Sequence, residues 1–366
     1  MPSSIILSVA MKKTELQKIA SDCRQALSDI FETEVLYNEG PELVFYGKPK
    51  LAGNFFTEMA HSRISNLGYN FKAEEADGFF TLRVSPPGVV AKKEIPWLNI
   101  VLFVLTVFST LLTGAMSAGE TNLFSQPEKI LKGVPYSFWL LSILLFHEFG
   151  HYWAAKNRKV KVTLPYFIPG PTLFGTFGAF IRAKSPFKNR RELLEVGATG
   201  PVAGFVVSVL AIIFGLATSQ VVKALPETGA LKLGDSLLFS FLSKLVIGDI
   251  PAGHDILLSP VAFAGWAGLL VTMLNLIPIG QLDGGHISYA LFGKKQKIIG
   301  DLATLGMIVL AYFWTGWLVW VALAFIMRPD HPPTLNDQIP IRTGHKILGW
   351  ISYAIFILCF IPVPLG

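Results

Sequence analysis

Cysteine is nearly absent: the 366 residues hold two, Cys23 and Cys359, too far apart for a metal-binding pair and too few for a disulfide framework. The redox compartment is therefore unmarked. Charge is also scarce, with Asp, Glu, Lys and Arg making up 15% of the chain against roughly 25% in soluble domains. Together with 52% hydrophobic residues and a mean hydropathy of +0.51, this excludes a disordered or collagen-like chain and argues against a simple water-soluble globule. No Arg/Ser-rich transit segment is visible. The apolar stretch 5–10 is short and has no basic residue before it, so it is not expected to act as a signal peptide.

What charge there is divides unevenly. Residues 1–95 balance 11 Lys and Arg against 12 Asp and Glu, so the net charge of +6 comes from the hydrophobic remainder, and nucleic-acid binding is not expected. Residues 12–31 carry Leu16, Ile19, Cys23, Leu27 and Ile30 at helical spacing. Short strands are expected at 43–46, 69–71 and 79–84, with a helix at 55–67, giving a small soluble α+β domain over 1–95. After the linker signal at 85–88 the character changes. Uncharged or nearly uncharged stretches at 98–118, 134–155, 196–218 and 256–279 are each long enough to cross a hydrocarbon core of about 30 Å. The stretch 302–327 is long for one span and short for two; Trp314-Thr315-Gly316-Trp317 at its middle favours a tight hairpin. The last span is 347–361. The expected fold is an α-helical polytopic membrane protein of about seven spans over 96–366. With the N-terminal domain cytoplasmic, the inner loops hold fifteen basic residues and the outer loops five, which places the chain in a cell membrane with its N-terminal domain inside. The apolar segment 237–247 falls in an outer loop and is read as a loop helix.

The second stretch contains His147-Glu148-Phe149-Gly150-His151. Residues four apart share a helix face, so both imidazoles can reach one metal ion while Glu148 lies beside it as a general base. Three ionisable groups near a bilayer are costly unless paired or bound to something. A hydrolytic zinc site needs a third protein ligand. Asp283, in Asn275-Leu-Ile-Pro-Ile-Gly-Gln-Leu-Asp-Gly-Gly-His286, falls at the same membrane face, because the second and fourth stretches both run inward. Helix N-capping is the alternative use for Asp283, and His286 is a competing ligand. Gly200-Pro-Val-Ala-Gly204 has a small-xxx-small spacing that would let helices approach within the monomer.

HEFGH joined to Asn-Leu-Ile-Pro-x-Gly-x-Leu-Asp-Gly-Gly resembles the site-2 protease family of intramembrane zinc metalloproteases, most strongly over residues 130–290. The segment Gly175-Thr-Phe-Gly-Ala-Phe-Ile-Arg and the added N-terminal domain are similar to its EGY-type subgroup. The resemblance implies one zinc ion held by His147, His151 and Asp283, Glu148 as the catalytic base, and Asn275 holding the substrate or the developing oxyanion. It implies proteolysis in or near transmembrane segments of membrane-protein substrates. The short interval after Arg182 leaves no room for the PDZ domain that many bacterial members insert, and no CBS-like tail is expected. Two other classes compete: a metal-ion transporter, which would spread acidic and histidine groups over several spans, and a catalytically silent regulator. Residues 172–181, rich in Phe and interrupted by Gly175 and Gly178, favour an extended strand. In a membrane such a strand must be buried or line the site. With the family's membrane-embedded β-hairpin in view, Phe177, Gly178 and Ala179 are expected to bind an unwound substrate by strand addition; an interfacial loop is the alternative.

Overall fold

The computed structural model describes residues 13–40, 42–87, 96–123, 125–224, 232–327 and 330–366. The chain divides into two units, Met1–Ile95 and Pro96–Gly366. In the first, helix α1 (Lys13–Leu27) turns Leu16, Ile19, Cys23 and Leu27 inward, and Ile30 continues this buried row into the turn that follows. Strands β1 (Phe31–Glu39), β2 (Glu42–Pro49), β3 (Asn70–Ala76) and β4 (Phe79–Ser85) form one antiparallel sheet in the order β1-β2-β4-β3. Helix α2 (Gly53–Asn66) contributes Phe56, Ala60 and Ile64 to the same core. The sequence reading does not include β1, in which Glu32, Glu34 and Glu39 obscure the alternation. Expected stretches at 5–10 and the end of the linker lie outside the described residues.

The second unit is mostly helical, and three of its helical segments are long and apolar enough to cross a membrane. They are α3 (Trp97–Ser117); α4 (Val134–Asn157), together with the 3-10 turn before it; and α5 (Arg190–Leu216). Helix α5 starts six residues before the uncharged stretch because Asn189 caps it, its Oδ1 accepting from the N–H groups of Arg191 and Glu192 at 3.0 Å. Between α4 and α5 lies the two-stranded sheet of β5 (Tyr166–Pro169) and β6 (Thr176–Phe180). The expected strand 172–181 is therefore shorter, with Thr172 belonging to the turn.

The fourth stretch, 256–279, is not one helix. Strand β8 (His254–Leu257) pairs with β7 (Gln220–Lys223), helix α7 occupies Pro260–Asn275, and α8 (Asp283–Phe292) follows a loop. Helix α6 (Leu237–Val246) lies between β7 and β8 in the chain. The stretch 302–327 separates into α9 (Gln296–Leu310) and α10 (Trp317–Met327), interrupted at 311–316, and α11 (Thr343–Cys359) ends the helical part. Helices α4, α5 and α7 surround one core, in which Leu140, Ile212, Trp266 and Leu269 are buried. The outer faces of α3, α9 and α10 keep large apolar side chains exposed, such as Val104, Leu305 and Phe325.

Candidate metal centre

Helix α4 places His147 and His151 one turn apart, both buried. Asp283 arrives from the first turn of α8, where the carboxylate meets the imidazoles instead of capping its helix. Glycines make that entry possible: a Cβ on Gly284 would lie 2.0 Å from the Leu276 carbonyl oxygen, and one on Gly285 2.3 Å from that of Gly280. Gly280 itself turns the chain with φ +51. Asp283 Oδ2 is 3.2 Å from His147 Nε2, Asp283 Oδ1 is 3.3 Å from His151 Nε2, and the two Nε2 atoms are 3.1 Å apart. Four donors at about 2.0–2.1 Å around a tetrahedral zinc ion are separated by about 3.3 Å. The observed edges fit that figure.

Donor chemistry agrees with this spacing. His151 Nδ1–H donates to the Val196 carbonyl of α5 at 2.6 Å, so its Nε2 carries the lone pair that faces the other two groups. Glu148 is buried beside the histidines, and its Oε2 has no hydrogen-bond partner. The backbone N–H of Ile181, one residue past β6, is directed at its carboxyl group. Asn275, the last residue of α7, donates from Nδ2 to His147 Nε2 at 3.3 Å, which puts its amide at the edge of the site. His286 is not in the cluster. Its Nδ1 meets His331 Nε2 at 2.6 Å, and His331 Nδ1 in turn donates to the Pro332 carbonyl. Among the described residues, His147, His151 and Asp283 are the group of side chains that could hold a metal ion.

Helix α5 is the floor on which these groups rest. A Cβ at Gly200 would lie 2.1 Å from His151 Nε2, one at Gly204 3.1 Å from His147 Nδ1, and one at Gly197 2.8 Å from His286 Cβ. Gly150 approaches the same helix from α4, with the Thr199 carbonyl oxygen 2.6 Å from where its Cβ would be. Thr199 Oγ1 returns a hydrogen bond to the Gly150 carbonyl at 3.0 Å. The small-xxx-small spacing at 200–204 signals a close approach, and the partner is the imidazole pair. The Val196 carbonyl has no sequence signal, because any helical residue offers one.

Phe177, Gly178 and Ala179 lie on β6 and touch none of the three ligands in the hydrogen-bond pattern. A Cβ at Gly178 would meet nothing within 4 Å, and the requirement for glycine there is conformational, φ +100. Its N–H donates to Thr176 Oγ1 at 3.0 Å, and that hydroxyl donates to the Ile168 carbonyl, so Gly178 faces β5. By alternation Phe180 also faces β5, while Ala179, like Ile181 whose N–H is directed at Glu148, turns its N–H to the outer edge. The hairpin is tied to the helices by Ser109 Oγ donating to the Gly175 carbonyl at 2.6 Å and by Tyr136 Oη donating to that of Phe174 at 3.1 Å.

Comparison with known proteins agrees with the geometry. The model of peptidase family M50 matches residues 135–314, which contain the ligand cluster, Glu148 and Asn275. The chain is 31% identical over 313 residues to the probable zinc metalloprotease EGY1, chloroplastic, of Arabidopsis thaliana, covering 78% of this chain and 56% of that protein. It is 31% identical over 273 residues to the probable zinc metalloprotease EGY2, chloroplastic, of Oryza sativa subsp. indica, covering 71% and 49%. The chain thus spans about half the length of these curated relatives. No solved structure matches. The ligand cluster lies inside the segment that matches peptidase family M50, the site-2 proteases, and the similarity to the zinc metalloprotease relatives agrees with it.

Proposed function

We propose that the chain is an intramembrane zinc metalloprotease that hydrolyses peptide bonds in or near transmembrane segments of membrane proteins. The observation that carries this reading is the convergence of His147 Nε2, His151 Nε2 and an Asp283 carboxylate oxygen within 4.8 Å of one another, with Glu148 next to His147 in the helix. Zinc, when bound by these three residues, supplies a Lewis acid that polarises the scissile carbonyl and acidifies water. Glu148 accepts the proton of the attacking water and returns it to the leaving amine. The Asn275 amide is placed to donate to the carbonyl oxygen as it gathers negative charge. Val196 keeps the His151 ring oriented throughout.

A helical substrate hides its scissile carbonyls in hydrogen bonds, so it must unwind to react. The outer edge of β6 offers replacements, with Phe177 and Phe180 exposed beside it. The Ile181 N–H links the end of that strand to Glu148. The basic loops support a seven-span arrangement with the active-site end toward the cytoplasm, counting the α9–α10 pair as two spans. The N-terminal unit, whose one histidine is His61, is a substrate-selecting or gating module.

Purified full-length chain should carry one zinc ion and cleave a membrane-anchored reporter. Glu148→Gln should keep zinc and lose cleavage by a factor of about 100–10,000, the usual worth of a general base. Cleavage by Glu148→Gln at the wild-type rate would remove this reading.

A further inference from the structure

Helix α5 has a second face that the hydrolytic site does not use. Thr199, Ala203, Val206 and Leu210, spaced three or four apart, line an open groove walled by Phe146 of α4 and Leu348 of α11. Its cavity of about 430 Å³ is apolar along the stripe from Thr199 to Leu210, about 17 Å at about 1.5 Å per residue. That length matches one leaflet, half of a core of about 30 Å.

One end of the groove is ringed by charge. Four residues before Thr199, Glu195 holds Arg158 from the end of α4 and lies 2.8 Å from His345 Nε2 at the start of α11. His345 Nδ1 is buried with no hydrogen-bond partner. Arg191 is one turn earlier on α5, its Nε donating to the Pro340 carbonyl at 2.7 Å. Arg342 and Lys346, both exposed, flank His345 in the chain. On these segments two carboxylates, Glu192 and Glu195, stand against four permanent cations, Arg158, Arg191, Arg342 and Lys346.

We infer that this groove binds a phospholipid with an anionic headgroup, one acyl chain lying along α5 between α4 and α11 and the phosphate beside Arg342, His345 and Lys346. Charge favours an anionic lipid, and position disfavours a substrate helix. The groove and the ligands lie on different faces of α5, because Gly200 and Gly204, each one residue after Thr199 and Ala203, are turned about 100° away and press against the imidazoles. A peptide in the groove would not reach Glu148.

Native mass spectrometry of the full-length chain in detergent, supplied with palmitoyl-oleoyl phosphatidylglycerol or the phosphatidylcholine of the same chains, tests this. The wild type should retain one phosphatidylglycerol, about fivefold or more above phosphatidylcholine. Ala203→Phe, which fills the groove, should lower that retention about fivefold with the unfolding temperature and zinc content kept. Arg342→Glu with Lys346→Glu, both at exposed positions, should abolish the headgroup preference. Equal retention of the two lipids by the wild type, or undiminished phosphatidylglycerol in a folded Ala203→Phe protein, would overturn the assignment. So would crosslinking of a photoreactive residue at Val206 to a transmembrane peptide and not to lipid.

Discussion

In the N-terminal unit the buried ion pairs lie on the sheet, where Arg83 meets Glu39 and Glu42, and the interior between sheet and helices is apolar. In the membrane unit the arrangement is reversed: apolar side chains cover the outside, and the polar groups gather where α4, α5 and α8 meet. Burying a carboxylate costs free energy in either setting, and each unit offsets it with partners of opposite or complementary character. The difference lies in how the partners are held. Arg83 reaches its carboxylates with a long side chain, whereas the imidazoles are short, so the backbones themselves must approach. Glycines on α5 provide that approach, and the result is a site with little tolerance for added atoms.

This contrast predicts a graded set of outcomes. The largest belongs to the ligands: His147→Ala, His151→Ala or Asp283→Ala should each lower zinc affinity by more than about 100-fold, measured by metal competition. A side chain such as Phe56 in the N-terminal core should show the opposite separation, Phe56→Ala costing about 3–5 kcal/mol of that unit's stability with zinc retained. Zinc loss in an otherwise folded Phe56→Ala protein would show that the two units are not independent.

Next in size is the floor. Gly200→Ala should cost about 1–3 kcal/mol through overpacking and displace His151, seen as weaker zinc binding and an altered cobalt spectrum. Gly306→Ala on α9, where a Cβ meets nothing within 4 Å, should instead stabilise by about 0.5–1 kcal/mol. Similar zinc affinity in both would remove the role assigned to α5.

The strand edge separates hairpin from substrate. Ala179→Pro removes an outward N–H and should reduce cleavage with zinc and fold intact. Phe180→Pro breaks a hairpin bond, and Gly178→Pro cannot adopt φ +100, so neither isolates the outer edge. Full activity in the Ala179→Pro protein would count against strand addition.

The smallest effect at neutral pH concerns Cys23. Burial first, and the charge of Asp22 second, push its thiol up to about 12 from an ordinary 9.0. Because the neutral thiol is favoured in the folded state, its contribution is complete below about pH 9 and lost as the pH rises toward about 12. Chemical denaturation of the N-terminal unit should show stability falling across that window, and Cys23→Ala should flatten the fall. No difference between the two profiles would refute this.

What could be read from the sequence was what is local in the chain. His147 and His151 share one helical turn, and Asp283 sits in a glycine-rich run that cannot continue a helix, so both halves of the site carry a short-range signal. The sequence points to helix α8 only through the capping alternative for Asp283, because the same glycines that admit Asp283 read as a loop. Strand β5 was hidden by Pro165 and Pro169, and β6 was placed too early because Phe174 belongs to the turn. The Val196 carbonyl and the outer groove of α5 depend on which helices become neighbours, information spread across some two hundred residues.

The glycine floor also has a genetic consequence. Every amino acid other than glycine carries a Cβ, so Gly200 has no conservative replacement: any missense change introduces the atom that collides with His151 Nε2. At Gly306 or Gly344, where that atom meets nothing within 4 Å, many changes fit sterically. A saturation library scored for zinc binding would show α5 as a row of intolerant positions along one side and permissive ones along the other, tracing the orientation of the helix by mutation alone.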